Sequence, residues 1–481
     1  MGGAVVALTL LALVLRCIGL DGPLWLDEVA TIHDVHPLSV GEVFTTWTGT
    51  NNHLSTTLLT KALAGLFGHA EWALRLPAML AGVALVPATW YAARTALPDR
   101  AALLAAALVT VSSHHVAFSQ NARGYTAWLL FSTLGTALLV RALRAPSRGL
   151  WIAFSAASFL NFASILLSSV VFVAHGALAA WHLFPSRRGR RTWATVFLGT
   201  GALGLLLYGP VLLDAVTYVG DEYGQAGVGF HLLSPAFLAE LWRGLRLGTA
   251  GVVALPIAAF VGALGVLRLG REASVLLGGL LGPPLLLGGV VLLAGVSSTP
   301  RHFLLLLPAA FVVGGAGLEA LAARLPGRLG PALLAAAGIV FALASAPQLG
   351  RLYRTPKQDI PGALRWVRSE RQPGQQVAAL FLATKPVAHY ADEALGSHED
   401  LHLVRSPEAF AAARAAGGPP LLVISTFAGA LHHLEPRLET ELHHDFVEVA
   451  RFPGTIGDAD VTVWRERPPK APRSAVPAPA R

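Results

Sequence analysis

The stretch that decides the fold is residues 4–28, AVVALTLLALVLRCIGLDGPLWLDE. Residues 4–20 are an apolar run of the length a helix needs to cross a bilayer, interrupted by a single charge at Arg16. A short turn follows, then Leu24 and Trp25, and then the adjacent acids Asp27 and Glu28. Leucine and tryptophan just past a helix end are expected to hold the segment at the membrane surface. The two carboxylates then lie at headgroup depth. A carboxylate held there can act as general base toward a hydroxyl whose co-substrate is a lipid.

Composition extends that reading to the whole chain. Of 481 residues, 54% are hydrophobic and 13% charged, against about 25% charged in an ordinary soluble domain. A disordered chain is excluded and a soluble enzyme disfavoured. Residues 1–347 hold 33 charged side chains and residues 348–481 hold 31, which divides the chain into a membrane part and a water-soluble part. Apolar windows predict eleven spans, at 4–20, 75–93, 101–117, 125–143, 149–163, 166–184, 192–212, 249–268, 273–295, 301–323 and 329–347. Every even-numbered span is followed by a basic cluster, the densest being Arg187, Arg188, Arg190 and Arg191. All the clusters therefore share one side, which the positive-inside rule makes the cytoplasm. The N-terminus is then cytoplasmic and the C-terminal region extracytoplasmic. Residues 54–68 are short and carry Lys61, so they are read as a helix lying on the outer surface. Arginine clusters on both flanks of 149–184 demand two short spans there.

The net charge of +8 is read as this orientation signal, and no nucleic-acid partner is expected. The lone cysteine, Cys17, forms no intrachain disulfide. The first 20 residues lack a basic leader region and are expected to remain as a helix. The fold class is thus mainly α, a polytopic membrane bundle of about 11 transmembrane helices with a small C-terminal α/β domain. The expected domains are 1–347 in the membrane, with long outer loops at 21–74 and 213–248, then 348–466 outside it, then a disordered tail at 467–481. In the soluble part, runs at 376–382, 420–425, 446–451 and 460–464 read as strands and 359–370, 405–416 and 427–440 as helices. No phosphate loop, dinucleotide fingerprint or zinc spacing is present. No metal site and no cofactor is assigned; His33, Asp34 and His36 cluster near Asp27 without a recognised ligand spacing.

Candidate chemistry crowds the outer side. Asp27 and Glu28 are the candidate catalytic pair, beside Trp25. Arg123 and Tyr125 stand at the outer mouth of spans three and four, Arg301 and His302 at that of span ten. A guanidinium there either snorkels to headgroups or grips a phosphate through bidentate hydrogen bonds. Two such arginines suit a lipid-linked phosphate entering from the bilayer. Asn52 and His53 precede the surface helix, where an asparagine commonly caps, and His53 would face the same surface. Asp221, Glu222 and Tyr223 in the second long loop are candidates for touching an acceptor.

These motifs resemble those of the C-type membrane glycosyltransferases, nearest the protein O-mannosyltransferase and lipid A aminoarabinose transferase group (glycosyltransferase family 39-like). Trp25-Leu26-Asp27-Glu28 resembles the family's first-loop Asp-Glu motif and Arg75-Leu76-Pro77 its Arg-Leu-Pro entry. Ala122-Arg123-Gly124-Tyr125 is similar to an Ala-Arg-Pro-Tyr element, and Pro300-Arg301-His302-Phe303 to a late Pro-Arg-Tyr segment. The resemblance covers roughly residues 4–320. Two departures stand out: His53-Leu54-Ser55-Thr56-Thr57 replaces His-Pro-Pro-Leu-Tyr, and Gly124 replaces the proline.

The resemblance implies an inverting transferase that moves a sugar from a polyprenyl-phosphate donor to a hydroxyl acceptor on protein, glycolipid or polysaccharide. It would work on the outer face of a bacterial cytoplasmic membrane. Asp27, with Glu28 orienting, would take the acceptor proton. Arg123, Tyr125, Arg301 and His302 would hold the donor phosphate, and Trp25, Asn52, His53, Asp221 and Glu222 would line the pocket. Two other classes remain open: a lipid or solute transporter, which predicts ionisable residues in mid-span, and a non-catalytic membrane scaffold.

Overall fold

A computed structural model describes residues 2–49, 52–225, 229–248, 255–396, 398–416 and 418–468. The expected disordered tail lies almost wholly outside them. The chain forms two compact units, one of Met1–Gly22 with Thr31–Arg354 and one of Pro23–Ala30 with Thr355–Arg481. The boundary expected at 347 falls inside the helix Leu329–Arg354, and eight residues of the first outer loop group with the C-terminal unit.

The first unit is helical. Glu71–Ala93, Tyr125–Arg144, Arg187–Gly224, Ser274–Ala294 and Leu329–Arg354 are each long and apolar enough to span a membrane, and Asp99–Val111 with Ser113–Ser119 qualifies as one bent span. Shorter apolar helices are Gly2–Cys17, Leu54–Phe67, Ser168–Leu183 and Leu306–Ala322. Among the described residues, length and composition thus support up to six spans where the sequence predicts eleven, one of which, 249–268, begins outside the described residues. The predicted pair of short spans at 149–184 appears as Arg148–Ser164 and Ser168–Leu183, with a break between. Serine caps set the starts of Arg148–Ser164 and of a later helix, Arg187–Trp193. Ser147 accepts the N–H of Leu150 and Ser186 that of Gly189, each satisfying a backbone donor that a helix start leaves unpaired. Within the expected outer loop 213–248 the stretch from Arg187 continues past a tight turn at Pro210 as far as Gly224, and a further helix covers Pro235–Gly248.

Arg16, read in sequence as a stray charge in the first span, is fully buried. The helix Asp99–Val111 ends at Ser112 and the next turns away by 61°. That break leaves the carbonyls of Val109 and Thr110 without helical N–H donors. Arg16 donates to both, at 3.3 and 3.2 Å, and to Ser119 Oγ at 3.1 Å. Its Nη2 also lies 2.6 Å from His115 Nδ1. Gly82 of the Glu71–Ala93 helix lets the cluster close, since a Cβ there would meet Ser119 Oγ at 2.1 Å. Arg75 does similar work at the exit of the first helix, donating to the carbonyls of Leu20 and Gly22 at 2.9 and 2.6 Å. A two-stranded ribbon, β1 (Phe230–His231) against β2 (Ser297–Ser298), is antiparallel and pairs Phe230 with Ser298.

The second unit is an α/β domain. Its sheet comprises β3 (Val377–Leu380), β4 (Leu401–Val404), β5 (Leu422–Thr426), β6 (Phe446–Phe452) and β7 (Val461–Glu466), in the order β4-β3-β5-β7-β6. β3 runs parallel to β4 and β5, while β7 is antiparallel to β5 and β6. The four predicted strands correspond to β3, β5, β6 and β7. β4 is an additional edge strand, too short and too polar at His402 to declare itself. The helix predicted at 427–440 is divided into Ala428–Leu434 and Pro436–Asp445 because Pro436 cannot continue a helix interior.

Replacing Arg16 by Met should destabilise the membrane unit by about 3 kcal/mol or more, because several charge-assisted hydrogen bonds vanish and buried carbonyls lose their donors. Unfolding of the purified chain in detergent checks this; an unchanged midpoint would refute the assignment.

Candidate active site

In the first unit the segment Gln120–Gly124 joins the Ser113–Ser119 and Tyr125–Arg144 helices and carries Arg123. Gln120 anchors it by donating to the carbonyls of Arg16 and Ile18 at 3.1 and 2.6 Å. Arg123 is 2% exposed. Its Nε donates to His53 Nε2 at 3.1 Å and its guanidinium lies 5.1 Å over the Tyr125 ring. The His53 and Tyr125 rings meet edge to face, 5.4 Å apart. An imidazole that accepts at Nε2 carries its proton on Nδ1, which faces the Ser164 carbonyl at 3.3 Å. His53 is therefore neutral: burial first, then the charges of Arg123 and Arg301, hold it well below the ordinary histidine range. Gly124 permits this approach, since a Cβ would lie 2.2 Å from Ser164 O and 3.1 Å from His53 Nδ1. The histidine is thus an orienting group for Arg123.

Arg301 and His302 lie in a short turn, Pro300–Phe303, ahead of the Leu306–Ala322 helix. Arg301 hydrogen-bonds Tyr223, and the charges of Arg301 and Arg123 both act on Tyr223, His53 and His302. The Tyr223 ring sits 5.8 Å from that of His302. Two serines of β2 fix the geometry: Ser297 Oγ donates to the Tyr223 carbonyl at 2.7 Å, and Ser298 Oγ is 3.0 Å from His302 Nδ1. The structure thus gathers Arg123, Tyr125, His53, Arg301 and His302, together with Tyr223, which the sequence reading places on the acceptor side. Asn52 is buried beside them, with an amide nitrogen that has no hydrogen-bond partner among the described residues. Asp221 is exposed and Glu222 half-buried, so Tyr223 is the member of that triplet that turns inward.

Asp27 and Glu28 belong to the second unit, on the short helix Leu26–Ala30. Glu28 is 1% exposed and its Oε1 pairs with Lys357 Nζ at 3.2 Å. Its Oε2 accepts the Trp25 N–H at 3.3 Å. Asp27 is half-buried. Trp25, expected as an exposed interfacial anchor, is buried at 5%. Lys357 is a functional candidate that sequence reading passed over, since nothing local distinguishes it from a surface lysine. Among the described residues no group of three or more His, Cys, Asp or Glu could hold a metal ion.

Residues 54–213 match the family model described as dolichyl-phosphate-mannose-protein mannosyltransferase. That segment carries Arg75, Arg123 and Tyr125. The chain is also similar in structure to ArnT from Cupriavidus metallidurans, solved apo and bound to undecaprenyl phosphate. The TM-score is 0.55 and the identity 14%, over 96% of this chain and 98% of that one. This chain has the C-type glycosyltransferase fold. The same fold links it to the oligosaccharyltransferase of Archaeoglobus fulgidus, with a TM-score of 0.53 and 11% identity over 93% of this chain and 73% of that one. The archaeal enzyme AglB has also been solved with an inhibitory peptide and a dolichol-phosphate. Among curated proteins none matches by sequence.

Two outcomes follow from the His53 environment. Gly124→Ala should cost about 1–3 kcal/mol, because the new methyl meets backbone rather than a yielding side chain; thermal unfolding that matches wild type would contradict the close packing. A histidine held neutral contributes stability that is present above its unfolded pKa and lost as pH falls below it. Between pH 6.5 and 5 the loss approaches about 2 kcal/mol for a deeply depressed group. His53→Gln should therefore lose less stability than wild type over that interval, and parallel profiles would count against the neutral assignment.

Proposed function

We propose that this chain is an inverting glycosyltransferase that moves a sugar from a polyprenyl-phosphate donor to a hydroxyl acceptor. The observation that carries the reading is a pair of neighbouring guanidinium groups, Arg123 hydrogen-bonded to the neutral imidazole of His53 and Arg301 to Tyr223, whose charges reach each other's partners. Two neighbouring cations of this kind favour an anion between them. The donor phosphodiester offers two non-bridging oxygens and the monoester released from it three, which suits planar guanidinium forks. The neighbours crystallised with undecaprenyl phosphate and dolichol-phosphate support that class of ligand.

In this reading Asp27 accepts the proton of the acceptor hydroxyl as that oxygen attacks the anomeric carbon. The bond from that carbon to the phosphate oxygen breaks on the opposite face, which inverts the configuration. Polyprenyl phosphate leaves with a second negative charge, which Arg123 and Arg301 stabilise. The unpartnered amide of Asn52 supplies a further donor for a phosphate or sugar oxygen. Glu28, committed to Lys357, keeps its charge engaged and leaves the proton transfer to Asp27. Asp221, exposed, and Glu222, half-buried, are assigned to the acceptor side, where carboxylates meet incoming hydroxyls. The working face is extracytoplasmic, as the arginine-rich loops place the cytoplasm on the other side.

Transfer of radiolabelled sugar from a panel of polyprenyl-phosphate donors into membranes of cells carrying wild type or Asp27→Asn tests the reading. Incorporation should appear with one donor and fall at least about a thousandfold in the variant, the scale of losing a base from a single displacement. Arg123→Lys should raise the donor KM about tenfold, since an ammonium cannot reproduce the fork held by His53. No incorporation from any donor by a folded wild type would move the assignment to transport or scaffolding.

A further inference from the structure

We infer that the C-terminal unit holds the Asp27 segment in working register, with Lys357, Gln358 and Tyr390 as positioning residues; this rests on the transferase reading above. Three anchors fall on alternate residues of one short segment. The Leu24 N–H donates to the Tyr390 hydroxyl at 2.7 Å and the Leu26 N–H to Gln358 Oε1 at 3.0 Å. Glu28 closes the series through its ion pair with Lys357. Asp27 lies between the second and third anchors and is half-buried, whereas Gln358 is fully buried and Lys357 is 8% exposed.

Each anchor is itself supported. Gln358 Nε2 donates to Thr426 Oγ1 at 2.9 Å, which ties it to the end of β5. The Thr455 N–H donates to the carbonyls of Pro356 and Lys357 at 3.1 and 3.2 Å, from the loop between β6 and β7. Gly454 lets that loop close, since a Cβ there would stand 2.7 Å from the Lys357 carbonyl. Directly after the anchors, Asp359 caps the helix Ile360–Glu370 by accepting the Gly362 N–H at 2.9 Å. Tyr390 ends the helix Thr384–Tyr390. A five-residue helix has little stability of its own. Its place is set by the sheet domain, and a change in that domain is transmitted to the carboxylate.

The assignment makes Lys357 act through Glu28 rather than on substrate. Its loss should therefore affect turnover and not donor capture, since the arginine cluster lies in the first unit. The experiment uses the full chain in nanodiscs, measuring amide deuterium exchange over residues 23–30 together with transfer kinetics from the donor identified above. Lys357→Met should speed exchange at Leu24 and Leu26 at least tenfold and lower kcat at least tenfold, with donor KM within twofold. Lys357→Arg should restore both. The double variant Glu28→Gln with Lys357→Met leaves no buried unpaired charge and keeps the chain folded, and it should retain the fast exchange and low kcat. Unchanged exchange in either Met variant would overturn the inference, as would faster exchange with kcat within twofold of wild type. A wild type inactive with every donor would overturn the transferase reading instead, and the exchange measurement would still decide whether the clamp exists.

Discussion

The membrane unit depends on a buried arginine at a broken helix. A helix that stops inside a low-dielectric interior leaves carbonyl groups without donors, and no lipid group can replace them. Arg16 answers that need with a fork of five N–H donors, placing them on Val109, Thr110 and Ser119. The break then becomes usable. The Ser113–Ser119 helix turns away and delivers Gln120, which returns to the carbonyls of Arg16 and Ile18 and so sets the loop that carries Arg123. Arg75 treats the exit of the first helix in the same way. The residues that look most expensive in an apolar segment are the ones that allow irregular backbone to exist there.

The same logic separates what was legible in the sequence from what was not. Arg123, Tyr125, Arg301 and His302 stood out in the sequence because arginine at the mouth of an apolar run has few uses, and the structure gathers them in one unit. The C-terminal strands were readable because β-branched and leucine-rich runs stand out in a charged region. Arg16 was not readable as structural, since the partner that explains it is a helix break about ninety residues away. The role of His53 was equally hidden, because it depends on the Ser164 carbonyl and on Gly124. Gly124 looked like a loss of the family's proline; in the structure its missing Cβ is what admits the contact. Asp221 and Glu222 drew notice as charges, yet the group that turns toward Arg301 is the phenol of Tyr223.

Glu28 shows why adjacency in sequence does not mean shared chemistry. Two neighbouring carboxylates read as an interchangeable pair. Burying one of them is tolerable only if a counter-charge and hydrogen bonds compensate its lost hydration, and Lys357 with the Trp25 N–H supplies both. A carboxylate so engaged is a poor proton acceptor, because protonation would leave the lysine buried and unpaired. Asp27, at the preceding position of the same helix, is only half-buried. Burial thus separates the two: Glu28 is desolvated together with its partner, while Asp27 stays half-buried. It also explains why a segment of the first loop belongs with residues more than three hundred positions later, since the lysine that makes Glu28 affordable is encoded there.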